Sequence, residues 1–433
     1  MTPQASFMIL APIVPERESE LRRLLASMND APGRVNPSNA LIPFDQFDTL
    51  HFARFVILDD KTLEDVRVHG MPVRIYPIYL AFLGDIDGDP NAFLGNLAKR
   101  AERGLRSIFS CCEGFASDTD LAGWMKSHSV RPTASYVNWR GRTVRRIRED
   151  EALKHALEEY VQRHATVLTG IPPREILSKL QQFVAAEKSA GRLALSDESP
   201  TPIGWSIRNA LHLIGVPLLF LLALPLLIVI APFFLIRLRR LEKTDVELCG
   251  RVDQAHSDGL SLLEDRDVTN QFNAMASRKP GFVRLLTLLG VLATVDYAAR
   301  HIVRNGRLGR IRTIHFARWV LLDGRKRGTF FSNYDGTVES YMDDFINKAG
   351  FGLNAIFCNA IGYPRTNWLV RDGCEDEQKY RNFLRRHTLP TQVWYKAYPG
   401  LTAIDLERNR RIRDGLESSS MSERETREWL ALL

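Results

Sequence analysis

Cysteine is scarce in this chain, and its spacing argues against two common uses of the residue. The 433 residues include five cysteines, and none of them forms a CxxC pair. An odd number with one vicinal pair is a poor disulfide framework and indicates a reducing compartment. The ten histidines contain no HxxxH spacing, so no zinc site is predicted. Nothing resembles a nucleophile elbow, a Walker loop or a Rossmann fingerprint.

Charge of one sign is not in large excess either. Lys and Arg total 58 against 51 Asp and Glu, which leaves a net charge of +7. This excess is too small to indicate a nucleic-acid partner, and the anionic lipid of a cytoplasmic leaflet accounts for it. The first twenty residues lack a basic leader, so we expect no signal peptide.

One long stretch carries no charge at all. The run from Leu211 to Ile236 has 26 uncharged residues, and a membrane-spanning helix needs about 20. The alternative, a buried core helix, suits shorter runs. The run contains Pro217, Pro225 and Pro232, which predict a kinked or bent segment. It is followed by a basic cluster of Arg237, Arg239, Arg240 and Lys243. The sequence therefore predicts a protein of the inner membrane whose soluble parts face the cytoplasm.

An internal repeat flanks this segment. The motif TLHFARFVILDD at 49–60 returns as TIHFARWVLLDG at 313–324, and residues 82–115 align without a gap with 330–363. A third block, RRIRE at 145–149, recurs as RRIRD at 410–414. Three blocks in the same order predict a duplication. We expect copy one at 1–165, a helical linker at 166–204, the membrane segment at 205–243, a second linker at 244–266 and copy two at 267–433.

Each copy has the predicted order strand, helix, strand, strand, helix, strand, which is the ferredoxin-like unit. The expected class is α+β, with duplicated ferredoxin-like units packed as a pseudo-dimeric α+β barrel and an inserted membrane helix or hairpin. Copies that touch lie on one side of the membrane, which requires a hairpin bending near Pro225 or an in-plane helix. The alternative is a single span with the copies apart. Gly104 and Gly352 fall in mid-helix at equivalent positions, and we expect each to permit a close contact.

The repeat also pairs residues that carry chemistry. His51 and Arg54 in copy one match His315 and Arg318 in copy two. Alternation along a strand places each imidazole and guanidinium on opposite faces. A buried arginine must be paired, and the available carboxylates are Asp59 and Asp323, or Asp87 and Asp335. The candidate catalytic set is His51, Arg54, Asp87, His315, Arg318 and Asp335. The alternative is that the arginines form structural ion pairs and the histidines bond to backbone carbonyls.

The RRIR blocks are a candidate binding surface for lipid phosphate or a propionate. The alternative is a solvated basic face. Their arginines are Arg145, Arg146, Arg148, Arg410, Arg411 and Arg413.

Two fused ferredoxin-like units with a GxxDG motif resemble the superfamily of dye-decolourising peroxidases and chlorite dismutases. Gly84 to Gly88 fits the motif, and Ser332 to Gly336 departs from it at the first glycine. The resemblance implies a haem cofactor with His315 as its ligand and the motif aspartates, Asp87 and Asp335, on the distal side. The alternative for the motif is an Asp-Gly turn before a helix.

Two functions are consistent with these patterns. The first is a membrane-attached protein whose copies enclose a pocket for a hydrophobic or lipid-like small molecule. The second is a haem-dependent, peroxidase-like oxidoreductase.

Overall fold

The architecture combines antiparallel sheets with helices that cover them, which confirms the predicted α+β class. The computed structural model describes residues 1–248, 250–303, 308, 310–418 and 420–433. The strands are β1 (Gln4–Pro12), β2 (Asn29–Ala31), β3 (Arg34–Val35), β4 (Leu50–Leu58), β5 (Tyr79–Asp87), β6 (Ala134–Val137), β7 (Thr269–Ser277), β8 (Ile314–Leu322), β9 (Arg327–Asp335), β10 (Thr366–Asn367), β11 (Arg371–Asp372) and β12 (Thr391–Lys396).

Helices lie between the strands and after the last strand. They are α1 (Glu18–Ala26), α2 (Pro90–Arg100), α3 (Glu102–Phe109), α4 (Leu121–Ser127), α5 (Val144–Arg163), α6 (Ala165–Leu168), α7 (Pro173–Ser189), α8 (Ile203–Thr244), α9 (Gln254–Ser261), α10 (Phe282–His301), α11 (Val338–Phe357), α12 (Glu377–His387), α13 (Ala403–Glu417) and α14 (Glu423–Leu430).

Each of the larger sheets takes its last strand from the other half of the chain. The strand orders are β1-β5-β4-β12 and β6-β8-β9-β7, all antiparallel. Thus β12 pairs with β4 through Tyr395 and Ala53, and β6 pairs with β8 through Tyr136 and Ala317. The sequence predicted four strands within each half and did not predict this exchange. The exchange makes each sheet dependent on both halves.

The two sheets face each other and share a buried apolar layer. Its members come from strands of both sheets and include Met8, Val56, Leu83, Met275, Val320 and Phe331. The opposite face of the first sheet packs on the α1 to α4 side, and the opposite face of the second packs under α10, α11 and α12. Continuous apolar strands such as β4 follow from this burial on both faces.

The predicted element positions are largely confirmed, with two corrections. The strand predicted at 74–83 begins at Tyr79, and the helix predicted at 90–112 breaks between α2 and α3 at Ala101, whose φ is −113° and ψ is 24°. A Cβ on Gly104 would overlap the backbone carbonyl of Leu41, so the predicted close contact exists there. A Cβ on Gly352 would meet no atom within 4 Å, so that prediction is wrong for Gly352.

The uncharged stretch forms one continuous helix, α8, of 42 residues with three internal prolines. The hairpin with a bend near Pro225 is therefore wrong. By length and composition, α8 and α10 (with Ile302 after it) are both apolar enough to cross a membrane. In α8, the most apolar stretch of 18 residues is 0% buried. The core-helix alternative for α8 does not hold, because none of the described residues in its most apolar stretch is buried.

Both ends of α8 contact the folded body. Near its start, the Leu213 carbonyl accepts a hydrogen bond from the Tyr297 hydroxyl at 3.1 Å. Near its end, the fully buried Glu242 accepts from the backbone N–H groups of Trp368 and Leu369 at 3.0 and 2.7 Å. The helix is thus fixed at both ends.

Candidate functional site

The first predicted histidine belongs to a buried hydrogen-bonded chain at the end of β4. His51 Nε2 lies 3.0 Å from Asp87 Oδ1, and His51 Nδ1 lies 3.1 Å from the Tyr398 hydroxyl. The other Asp87 oxygen accepts from the Val144 N–H at 2.9 Å. Because Val144 is the first residue of α5, this carboxylate sits at a helix N-terminus, where a negative charge is favoured.

The second predicted histidine repeats this arrangement in the other half. His315 Nε2 lies 2.7 Å from Asp335 Oδ1, and Asp335 Oδ2 accepts from the Ala403 N–H at 2.7 Å. Ala403 is the first residue of α13. The Thr269 hydroxyl also donates to Asp335 Oδ1 at 2.8 Å. Each His and Asp pair therefore ties the end of a sheet to the start of the helix that follows the last strand of its half.

The two motifs containing these aspartates form strand, turn and helix. Asp87 and Asp335 end β5 and β9, and the glycines after them have φ values of +88° and +90°. Asp89 then caps α2 by accepting from the Ala92 N–H. This geometry is the Asp-Gly turn that the sequence offered as the alternative to a haem motif.

A small cavity separates the two pairs. His51, His315 and Tyr398 line it, and its volume of about 20 Å³ holds about one water molecule. A porphyrin is many times larger. Both ring nitrogens of His51 are engaged, as is Nε2 of His315. These residues therefore do not fit a haem, and we derive no chemistry from one.

The predicted arginines of the repeat lie on the other face of their strands and tie the two sheets together. Arg318 donates to the Phe7 carbonyl at 2.8 Å and the Gly84 carbonyl at 3.1 Å, and it pairs with Asp85. Asp85, rather than any of the carboxylates suggested by the sequence, is its partner. The prediction that the His and Arg side chains lie on opposite faces of their strand is confirmed.

Arg54 makes the reciprocal connection, and none of its partners among the described residues is a carboxylate. It donates to the Asn273 side chain at 2.8 Å and the Ser332 carbonyl at 3.0 Å, and it stacks 4.7 Å from the Trp394 ring centroid. Burial lowers the pKa of Arg54 to about 9, and the nearby Asp85 opposes that shift. Both arginines therefore hold the sheets in register and are closed to a ligand.

Most RRIR arginines are engaged with acidic side chains. The pairs are Arg145 with Glu149, Arg146 with Glu198 and Asp414, Arg148 with Asp48, Arg410 with Glu407 and Asp414, and Arg413 with Glu149, Asp150 and Glu417. Arg411 is exposed on α13. Arg145 and Arg146 share a cavity of about 260 Å³ with Asp87. That cavity also contains Asp197 and Glu198, whose charges disfavour an anion there.

A larger cavity lies between the two halves of the chain, where α8 begins. This α8-root cavity has a volume of about 390 Å³. Its base contains Ser6 of β1, Ser135 of β6 and the buried Asp85. Its rim includes Trp205 and Arg208 from the first turns of α8 and Arg300 from the last turn of α10, together with Arg140. Its lining therefore combines cations and an indole with polar groups.

No family model matches this chain, and neither does any curated protein or solved structure. Among the described residues, no group of three or more His, Cys, Asp or Glu side chains is placed to hold a metal ion.

Sequence reasoning missed the residues of the α8-root cavity. A signal existed in Trp205 and Arg208, which precede the apolar run as an aromatic and a basic residue do at a membrane interface. Arg300 carried no comparable signal, because only the packing of α10 against α8 brings it to the rim. The cavity, rather than the repeated His and Arg residues, combines room for a ligand with charge beside the apolar helix.

Proposed function

We propose that this protein is attached to one face of a membrane through α8 and binds the polar head of an anionic amphiphile in the α8-root cavity. The observation that carries the proposal is the position of that cavity. It combines the rim cations Arg208 and Arg300 with the start of an exposed apolar helix. An amphiphile bound there places its head among the cations and its chain alongside α8.

The architecture behind this proposal is a duplicated unit closed into a barrel. Backbone bonds connect the sheets at both edges through the segments that precede β6 and β12. Val130 N–H donates to the Met8 carbonyl of β1 at 2.8 Å, and Leu389 N–H donates to the Asn273 carbonyl of β7 at 2.8 Å. The matching strand orders and the matching links from His51 to Asp87 and from His315 to Asp335 support duplication. A closed barrel leaves its ends as the places for a ligand.

The connections of α10 support attachment from one side. This helix joins β7 to β8, and both strands belong to the same sheet. It therefore returns to the body and does not cross a bilayer, although its outer face exposes Phe282 at 71%. We propose that this face contacts lipid together with α8.

The two fixed ends of α8 lead to the same conclusion. Leu213 and Glu242 are 29 residues apart, which corresponds to about 44 Å of helix and exceeds a hydrocarbon core of about 30 Å. A crossing helix would place these anchor points on opposite surfaces, yet both contact one body. We propose that α8 lies within the leaflet that faces the body.

The head-binding step is tested with full-length protein extracted in a non-ionic detergent. Native mass spectrometry reports the lipids that remain bound, and thermal unfolding reports the integrity of the fold. We expect Arg208→Gln with Arg300→Gln to lose retained anionic phospholipid while the unfolding temperature stays the same. Arg424→Gln, on an 88% exposed side chain in α14, is the matched control and should retain the lipid. Equal lipid retention in the double variant and the parent would overturn the proposed site.

A further inference from the structure

Two adjoining cavities lie beside the start of α10, away from the α8-root cavity. The first, which we name the basic cleft, has a volume of about 230 Å³ and is lined by Arg74, Arg278, Lys326 and Gly281. Among the described residues that line it, none is acidic. The basic cleft is therefore a cationic depression without its own counter-charge.

Arg278 is the best-positioned cation in the basic cleft. Its guanidinium donates to the backbone carbonyls of Arg325, Lys279 and Gly281 at 3.0, 2.7 and 3.1 Å. These neutral partners fix its position without neutralising it, and burial lowers its pKa. An anion in the cleft would supply the missing negative charge.

The start of α10 adds a second attraction for an anion. Gly281 precedes the helix with a φ of +96°, and no side chain caps the first turn. The unpaired N–H groups of a 20-residue helix start there, and such groups favour a negative charge. The cleft thus combines three cations with a helix N-terminus.

The second cavity, which we name the α10 cavity, adjoins the basic cleft and is apolar. It shares Ser277 and Arg278 with the cleft, and Leu288, Leu292 and Phe330 form much of its wall. Its volume of about 50 Å³ accommodates a group of about four non-hydrogen atoms.

Two buried polar atoms, on side chains that line the α10 cavity, have no hydrogen-bond partner among the described residues. They are the Trp319 indole nitrogen, a donor, and Asn359 Oδ1, an acceptor. Both residues are more than nine-tenths buried. Leaving such groups unpaired is costly, and a ligand hydroxyl can accept from an indole N–H or donate to an amide oxygen.

We infer that the basic cleft and the α10 cavity together bind a phosphate monoester whose short apolar group ends in a hydroxyl. The phosphate occupies the cleft beside Arg278 and the start of α10, and the apolar group extends past Ser277 to Trp319 and Asn359. This site is separate from the α8-root cavity, so either one can fail without the other.

The test is calorimetric titration of the full-length protein in a non-ionic detergent with three water-soluble probes. These are 4-hydroxybutyl phosphate, butyl phosphate and inorganic phosphate. We expect affinity to fall by about tenfold at each step of that series, because first the hydroxyl and then the apolar group is removed. Equal affinity for all three probes would overturn the inference, because it would describe a phosphate site without an apolar part.

The variants separate the two parts of the site. Lys326→Gln, at an exposed position, and Arg278→Gln should weaken all three probes by about tenfold. Gly328→Val should weaken only the two butyl probes, since a Cβ there would meet only Leu321 Cδ2 at 3.6 Å and the added methyl groups narrow the cavity. The matched control is Arg371→Gln on the exposed β11. Binding unchanged in both cation variants would overturn the inference.

Discussion

The Tyr297 hydroxyl donates to the backbone carbonyl of Leu213, 3.1 Å away, and Leu213 lies four residues before Pro217. In an α-helix that carbonyl accepts from the N–H of residue 217, which proline lacks. Tyr297 on α10 therefore satisfies an acceptor that the first proline of α8 leaves open. The bond explains how an apolar helix with internal prolines is joined to the body.

This relationship predicts an interaction between Tyr297 and Pro217. Tyr297→Phe removes the donor and should lower the free energy of unfolding by about 0.5–1.5 kcal/mol. Pro217→Ala restores the helical N–H, so the same Tyr297→Phe change should cost less in that background. A double-mutant cycle of thermal or denaturant unfolding in detergent measures the coupling. Purely additive costs would show that the hydroxyl does not replace the missing N–H.

The far end of α8 depends on a partly buried acidic residue. Asp245 pairs with Lys279 at 2.7 Å and with Arg284 at 2.5 Å, and both cations are almost fully buried. Asp245→Asn leaves two buried cations without a counter-charge. We expect it to destabilise the protein by about 3–5 kcal/mol, measured by denaturant unfolding.

The pH dependence of this variant has a defined sign. Burial lowers the pKa of Lys279, and Asp245 partly restores it. Between the lowered folded value and the usual lysine value, the unfolded chain binds more protons, so stability rises with pH. Without Asp245 this rise should be larger, and the destabilisation should therefore shrink in alkaline buffer. Asp245→Asn with Lys279→Met should lose part of the effect. A destabilisation independent of pH would contradict the role of Lys279.

The two equivalent glycines provide a matched pair of substitutions. A Cβ on Gly104 would overlap the Leu41 carbonyl, whereas a Cβ on Gly352 meets open space. Gly104→Ala should therefore destabilise by about 1–3 kcal/mol. Gly352→Ala should stabilise by up to about 1 kcal/mol, because alanine is the better helix former. Thermal unfolding of both variants measures the difference, and equal effects would contradict the packing at Leu41.

The same glycines show how far sequence reasoning reaches. The repeat placed both in mid-helix, which α11 confirms for Gly352, whereas Gly104 is the third residue of α3 and lies in its first turn. Close contact depends on what lies outside the helix, and of these two glycines Gly104 meets a described neighbour there, the loop at Leu41. The sequence therefore predicts which residues lie in a helix, but it does not predict which of them contact a segment outside the repeat.

The candidate site shows the same limit of prediction from sequence. Alternation along β4 and β8 correctly separated His51 and His315 from Arg54 and Arg318, because side-chain direction is a local property. The partner Asp85 and the exchange of β6 and β12 were not predictable, since they depend on how the two halves meet. The α8-root cavity depends on the same meeting.

The geometry around the histidines makes a spectroscopic prediction. Because the cavity beside His51 and His315 has a volume of about 20 Å³, we expect protein purified from haem-replete cells to show no Soret band. The measurement is one absorbance spectrum, with His315→Ala as the control. A Soret band that disappears in His315→Ala would contradict this expectation and restore the peroxidase-like alternative.

The last prediction is that both ends of α8 face the same aqueous compartment. The prediction rests on the contacts of α8. The Leu213 carbonyl and the Glu242 carboxylate both bond to the same folded body, while the most apolar part of the helix is exposed.

Ser199 and Arg251 lie outside the two ends of α8 and are exposed, so a cysteine at either position is accessible to a thiol reagent. Cys249, which lies outside the described residues, is replaced by Ser, and the other four cysteines are buried. Ser199→Cys and Arg251→Cys should then respond alike to an impermeant thiol reagent, both shielded in intact cells and both labelled after lysis. Labelling of one position alone in intact cells would show that α8 crosses the bilayer, and the attachment of both ends to one body would then be wrong.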